Sequence, residues 1–159
     1  MKSGNFYYIK DTYYSKFGNH RVMKGKEEDE NGKHGRPCFY CFEYNFFYWM
    51  IPISSQVDKY KLLYEEKIKR YPIYDGIKFG YVNGKKRAFL LQNICPVTKN
   101  YIDSEYRIDK DSIPVKVNQN FAKQLNSAAR KIIRLYNSGT KIVLTDLDYI
   151  IDELNSEIV

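Results

Sequence analysis

The rhythm of apolar positions changes several times along this chain. Residues 6–10 (Phe-Tyr-Tyr-Ile-Lys) read as a first strand, with Tyr13 and Tyr14 directly after it. Aromatic residues then fill eight of the eleven positions from 39 to 49. So dense a run predicts two strands over residues 38–53, buried on both faces and folded about Tyr44-Asn45. Pro52 closes the second strand, and Ser54-Ser55 opens a helix. Ser55 and Asp58 have capping-box spacing, and Val57, Tyr60, Tyr64, Ile68 and Tyr71 follow at helical period until Pro72. Asn83-Gly84 is the dipeptide a type I′ turn favours, and it joins strands predicted at 77–82 and 87–94. Residues 113–117 predict a short strand. Asn118 then caps a longer helix bearing Phe121, Leu125, Ala129, Ile132 and Tyr136 on one face, and Gly139 ends it. Residues 142–144 read as a last strand, and Thr145 with Asp148 as a second capping box before the final helix. Strands and helices do not alternate regularly. That excludes a wound parallel sheet and predicts a compact, β-rich α+β fold with a single domain over residues 1–159.

Residues 24–36 break the pattern. They hold four bases, four acids, three glycines and no large apolar residue, which predicts an exposed, mobile loop. The longest apolar run, residues 46–51, is far too short to span a bilayer, and the amino terminus has no apolar core of a leader. Three cysteines, an odd number at uneven spacing, predict a reduced, cytoplasmic chain rather than a disulfide scaffold.

Charge adds a direction. The chain carries +7 overall, but residues 142–159 hold five acids and no base. Residues 1–141 therefore carry 26 bases against 14 acids, a charge of +12. A basic body in a chain with aromatics at 16% of its positions offers phosphate contacts and stacking platforms together, the signature of a nucleic-acid partner. Candidate RNA contacts are Lys33, Arg36, Tyr60, Lys85, Lys86, Arg87, Lys123, Arg130, Lys131 and Arg134. The acidic final helix either packs on this body or limits nonspecific binding.

Candidate chemistry is sparse. Cys38 and Cys41 have C-x-x-C spacing near His34, with His20 and Cys95 the remaining zinc ligands. On a strand the two thiols point to opposite faces, so buried thiols are the expectation and no metal is assigned. Phosphate-cradling glycine motifs are absent, and the acids look scattered or confined to the loop and tail, unsuited to magnesium. No cofactor is expected. What remains is a polar set: Tyr13, Lys33-His34-Gly35-Arg36, and Ser54-Ser55 before a helix whose free N–H groups suit a phosphate. The two serines serve equally as plain helix caps, Tyr13 as a core tyrosine, and His34 and Arg36 as solvated loop residues.

The segments 47–60 (FYWMIPISSQVDKY), 35–37 (GRP) and 88–98 (AFLLQNICPVT) resemble the toxins of type III toxin–antitoxin systems, the group of ToxN and AbiQ, and most nearly its CptN and TenpN branches. The resemblance runs from Phe6 to about residue 136. It implies a compact, highly twisted antiparallel barrel-like core like that of MazF and Kid, with flanking helices. It also implies a metal-independent endoribonuclease that cuts mRNA and its own repeat antitoxin RNA, leaving a 2′,3′-cyclic phosphate. The processed antitoxin RNA, folded as a pseudoknot, would inhibit it in a closed protein–RNA assembly. The implied catalytic set is Ser54, Ser55, Tyr13, His34 and Arg36. ToxN-like chains carry a lysine two positions after the second hydroxyl residue, where this chain has Val57. Lys59 is the nearest base but lies about 200° further round a helix; Lys33 is the alternative. A non-catalytic RNA-binding protein and a zinc-dependent nucleic-acid module are the competing readings.

Overall fold

The computed structural model describes residues 1–30, 32–109 and 113–158. Its strands are β1 (Phe6–Ile9), β2 (Lys26–Asp29), β3 (Gly32–Gly35), β4 (Cys38–Tyr44), β5 (Phe47–Ser54), β6 (Lys78–Val82), β7 (Lys85–Phe89), β8 (Cys95–Val97) and β9 (Ile102–Glu105). Its helices are α1 (Asp11–Phe17), α2 (Val57–Arg70), α3 (Gln119–Asn137) and α4 (Leu147–Ile158). The fold is α+β, and all pairing in its seven-stranded sheet is antiparallel in the order β6-β7-β5-β4-β1-β9. The strand path has two ends and is not closed into a barrel. No helix among the described residues is long and apolar enough to cross a membrane.

Strand β5 organises the molecule. Along one edge it pairs with β4 from Cys38↔Pro52 to Tyr44↔Phe47, and along the other with β8 at Tyr48–Met50 and then with β7 at Ile53 and Ser54. Its near-continuous apolar sequence follows from that position: seven of its eight residues are buried. The turn lies one residue beyond the expected Tyr44-Asn45, at Asn45 and Phe46, both left-handed at φ 52° and 69°, because Tyr44 still pairs with Phe47. The Asn83-Gly84 turn joins β6 to β7 as expected, at φ 51° and 78°.

Asn118 caps α3 by accepting the backbone N–H groups of Asn120 and Phe121 at 2.9 and 3.3 Å. Leu125, Ala129 and Ile132 of α3, Leu147, Ile150 and Leu154 of α4, and Tyr13 and Phe17 of α1 enter one core with Phe6, Phe39, Met50 and Phe89 of the sheet. Phe121 lies against Gly80 so closely that an added Cβ would come within 2.3 Å of the ring. Gly80→Ala is therefore expected to cost about 1–3 kcal/mol by overpacking. An unchanged denaturant midpoint would show that the ring yields freely.

Several expectations are corrected. Residues 24–36 are not an open loop: β2 and β3 form a hairpin there, although Asn31 lies outside the described residues. The 113–117 segment makes only isolated bridges, Arg107↔Pro114 and Asn5↔Lys116, because Pro114 has no N–H to extend a ladder. Residues 142–144 form no strand; Leu144 N–H bonds Gln92 O at 2.7 Å instead. Helix α2 buries no residue fully, since it only half-covers a small cluster of Tyr74, Ile77, Ala88 and Leu90. Neither capping box forms: Ser55 turns to Glu27, Asp148 accepts Tyr136 OH, and Thr145 Oγ1 is buried with no partner among the described residues. Helix α4 packs on the body, where Glu157 takes bonds from Lys16 and Tyr101.

Candidate functional site

The β2–β3 hairpin builds one wall of the site. Pairing sets Glu27 opposite His34, and the two-residue period of β2 sets Asp29 on the same face as Glu27. Arg36 follows β3 and is almost wholly buried, with 6% of it exposed. Its Nη1 donates to Glu27 Oε2 at 3.1 Å and to Ile53 O at 2.7 Å, and its Nε donates to Lys24 O at 2.7 Å. Glu27 Oε2 also accepts the backbone N–H of Ser55 at 3.2 Å and its hydroxyl at 3.4 Å. One carboxylate thus ties the hairpin to the end of β5 and the start of α2. Buried charge is tolerable here because each group has several partners.

Beyond Glu27 opens a cleft of about 280 Å³, walled by Tyr8, Asp29, His34, Lys85, Arg87 and Tyr106 among others. His34 Nε2 lies 2.8 Å from Asp29 Oδ2, and its Nδ1 lies 2.8 Å from the Gly35 carbonyl oxygen. Both ring nitrogens face acceptors, so the doubly protonated imidazolium is the form that satisfies both. Partial burial works against that charge, but the Gly35 and Asp29 bonds outweigh it and raise the His34 pKa above its ordinary value. Arg87 Nη2 stands 4.0 Å from Asp29 Oδ2 and 3.9 Å from Glu30 Oε1. Lys85 pairs with Glu30 at 2.6 Å and holds its carboxyl below the usual range. Tyr8 and Tyr106 meet edge to face at 5.7 Å on the far side. Burial, with a smaller effect of Tyr106, pushes the Tyr8 phenol up to about 12. Gly35 makes room for that ring, since a Cβ there would sit 3.1 Å from it.

The ligand atoms of Glu27, Asp29 and His34 all lie within 4.8 Å of one another. This corrects the expectation that the acids, scattered or confined to the loop and tail, form no cluster of the kind a metal could use. A metal is still a poor fit to the donor set, because the Arg36 guanidinium occupies a cation's place 3.1 Å from Glu27 Oε2. The thiols of Cys38, Cys41 and Cys95 are all buried, and burial pushes Cys38 up to about 12. His34 faces Asp29 and Gly35 rather than any thiol.

The remaining expected residues scatter. Tyr13 is 0% exposed and donates to Pro96 O at 2.8 Å, so it is a core tyrosine that no substrate reaches. Ser54 is 1% exposed, and its Oγ accepts the Gln56 N–H at 3.1 Å; it caps the chain locally and presents no donor to a ligand. Ser55 and Arg36 do meet, but on Glu27, which already supplies the negative charge that a phosphate was expected to bring. Lys59 lies on α2 with its ammonium 5.3 Å from the Tyr60 ring, outside the cleft lining. Lys33 alternates away from His34 and lines a different groove with Tyr14 and Lys24. Lys86 covers Phe79, Lys123 and Lys131 flank Asp75, and Arg130 and Arg134 lie beside Phe42 and Tyr44. The bases therefore occupy several faces rather than one stripe. Glu27, Asp29, Tyr8 and Tyr106 were not anticipated. A signal for the two acids was present in Asn31-Gly32, the same dipeptide that marks the β6–β7 turn, with Gly32 at φ 88°.

No protein-family model matches the chain, and no curated protein matches it.

Proposed function

We propose that this chain is a metal-independent endoribonuclease that cleaves RNA by attack of the ribose 2′-OH on the adjacent phosphorus, leaving a 2′,3′-cyclic phosphate and a 5′-hydroxyl. The observation that carries the reading is the Asp29–His34 pair, bonded at 2.8 Å in a cleft that also holds Arg87 and Lys85. The nucleophile belongs to the substrate, so the protein has three tasks: to take one proton, give one, and steady charge on the non-bridging oxygens. Asp29 takes the 2′-OH proton; as its charge is lost its bond to His34 Nε2 breaks, and the freed Nε2 proton of the imidazolium goes to the departing 5′ oxygen. The proton on Asp29 then passes to His34 as their bond re-forms, which restores both groups. Arg87 and Lys85 hold the phosphate, and Tyr8 and Tyr106 offer ring faces to the neighbouring bases.

The toxin role, the mRNA substrate, the pseudoknot antitoxin RNA and the barrel-like kinship to MazF and Kid belong to the same proposal. They rest on the resemblance in residues 35–37, 47–60 and 88–98 and on the antiparallel sheet. The second reading, a non-catalytic RNA-binding protein, is favoured by the burial of Tyr13 and Ser54.

Incubation of a defined RNA with the protein in excess EDTA, followed by end-group analysis, tests the proposal. Cyclic phosphate and 5′-hydroxyl ends are expected. Binding without cleavage moves the assignment to the second reading, and cleavage abolished by EDTA overturns the chemistry.

A further inference from the structure

A second surface of unusual composition lies at the β4–β5 turn. Residues 47 and 53 sit at the turn end and the cleft end of β5, about 20 Å apart along an extended strand. A groove of about 320 Å³ opens at the turn end, lined by Phe42, Tyr44, Arg130, Ile133, Arg134 and Asn137, with no acidic side chain among them. Arg130 lays its guanidinium over the Phe42 ring, with Cζ 4.1 Å from the centroid. Tyr44 is 42% exposed. An independent observation points the same way. Phe46 is 84% exposed and sits at φ 69°, a left-handed conformation in which a bulky side chain is strained. The turn is of the kind that takes glycine at this position, as Gly84 does in the β6–β7 turn. The chain accepts strain to hold an aromatic ring in water.

We propose that this groove is a second RNA contact, in which an unpaired base stacks on Tyr44 and Phe46 beside the Phe42–Arg130 pair while Arg134 meets the adjoining phosphate. It rests on the RNA-cleaving reading of the cleft and extends it to a substrate that spans both ends of β5. Ring faces and guanidinium planes with no carboxylate in the groove lining suit a stacked base and a polyanion, and they do not suit an apolar peptide.

Phe46→Gly separates the contact from the fold, because glycine suits φ 69° and should raise the melting temperature rather than lower it. Binding is read by fluorescence anisotropy on a labelled, unstructured 12-nucleotide RNA with 2′-O-methyl groups, which has no nucleophile and cannot be cut. Phe46→Gly together with Tyr44→Ala is expected to weaken binding by roughly 10-fold, the scale of a lost stacked base. Arg134→Ala should flatten the dependence of affinity on salt. Unchanged affinity in the double variant, with the parent chain still cleaving ordinary RNA, overturns the groove and leaves the cleft reading intact. A parent chain that neither binds nor cleaves RNA overturns both.

Discussion

Replacing His34 with alanine is expected to slow RNA cleavage by about 10²–10⁴-fold, the range for loss of a positioned proton-transfer group. The protein should stay folded, because the side chain is half-buried at the cleft wall and its partners keep other contacts: Gly35 stays in the β2–β3 ladder, and Asp29 keeps Arg87 nearby. The pH profile distinguishes proton transfer from a merely structural role. The His34 pKa is raised, so its imidazolium persists above the ordinary histidine range and activity that needs it falls as pH rises through the raised value. The same sign applies to stability: the His34–Asp29 bond contributes fully below about 6.5 and is lost on the alkaline side of the raised value. Asp29→Asn removes the group that takes the 2′-OH proton and should slow cleavage on the same scale. The His34 titration in that variant, followed by NMR, should move to lower pH for want of the charge that favours the imidazolium. A His34→Ala chain that cuts RNA at the parent rate would end the assignment.

Glu27→Ala is expected to destabilise the protein by about 3–5 kcal/mol, the scale for removing one partner of a buried ion pair. The loss exceeds that of one contact because Arg36 would keep its charge in a site where 6% of the residue is exposed, and because Ser55 would lose the acceptor for both its N–H and its hydroxyl. Glu27→Ala combined with Arg36→Met should recover part of the loss, since the uncompensated charge then disappears along with its partner. Urea unfolding of the two single variants and the double variant measures this. A Glu27→Ala midpoint within experimental error of the parent would mean that water reaches Arg36 and the latch carries little.

Much of the sheet was legible because period and punctuation agreed. The 39–49 aromatic run had its turn residue in Asn45, the 77–94 hairpin had Asn83-Gly84, and α3 had both an apolar face and Asn118. Elements fixed by distant partners were not legible. Strand β9 exists because β1 offers it an edge, and α1 because Tyr13 and Phe17 find the core. At the site, residue types alone nominated His34 and Arg87, yet their partner Asp29 follows from hairpin register. The one local signal of that register, Asn31-Gly32, is obscured by the flanking run of charges and glycines with no apolar alternation. Ser54 and Tyr13 failed for the complementary reason. Nothing within a few residues of either reveals that the β5 junction and the α1–β8 contact bury them.

The two free ends of the sheet have a consequence for behaviour at high concentration. An unpaired strand is a template on which another copy can add its own. Here β9 is four residues long and carries Asp103 and Glu105, while β6 begins with Lys78 and has Gly80 at its centre. Short length limits the ladder that either end can offer, and like charge disfavours pairing of an end with its own copy. A barrel abolishes its edges; this chain keeps them and blunts them.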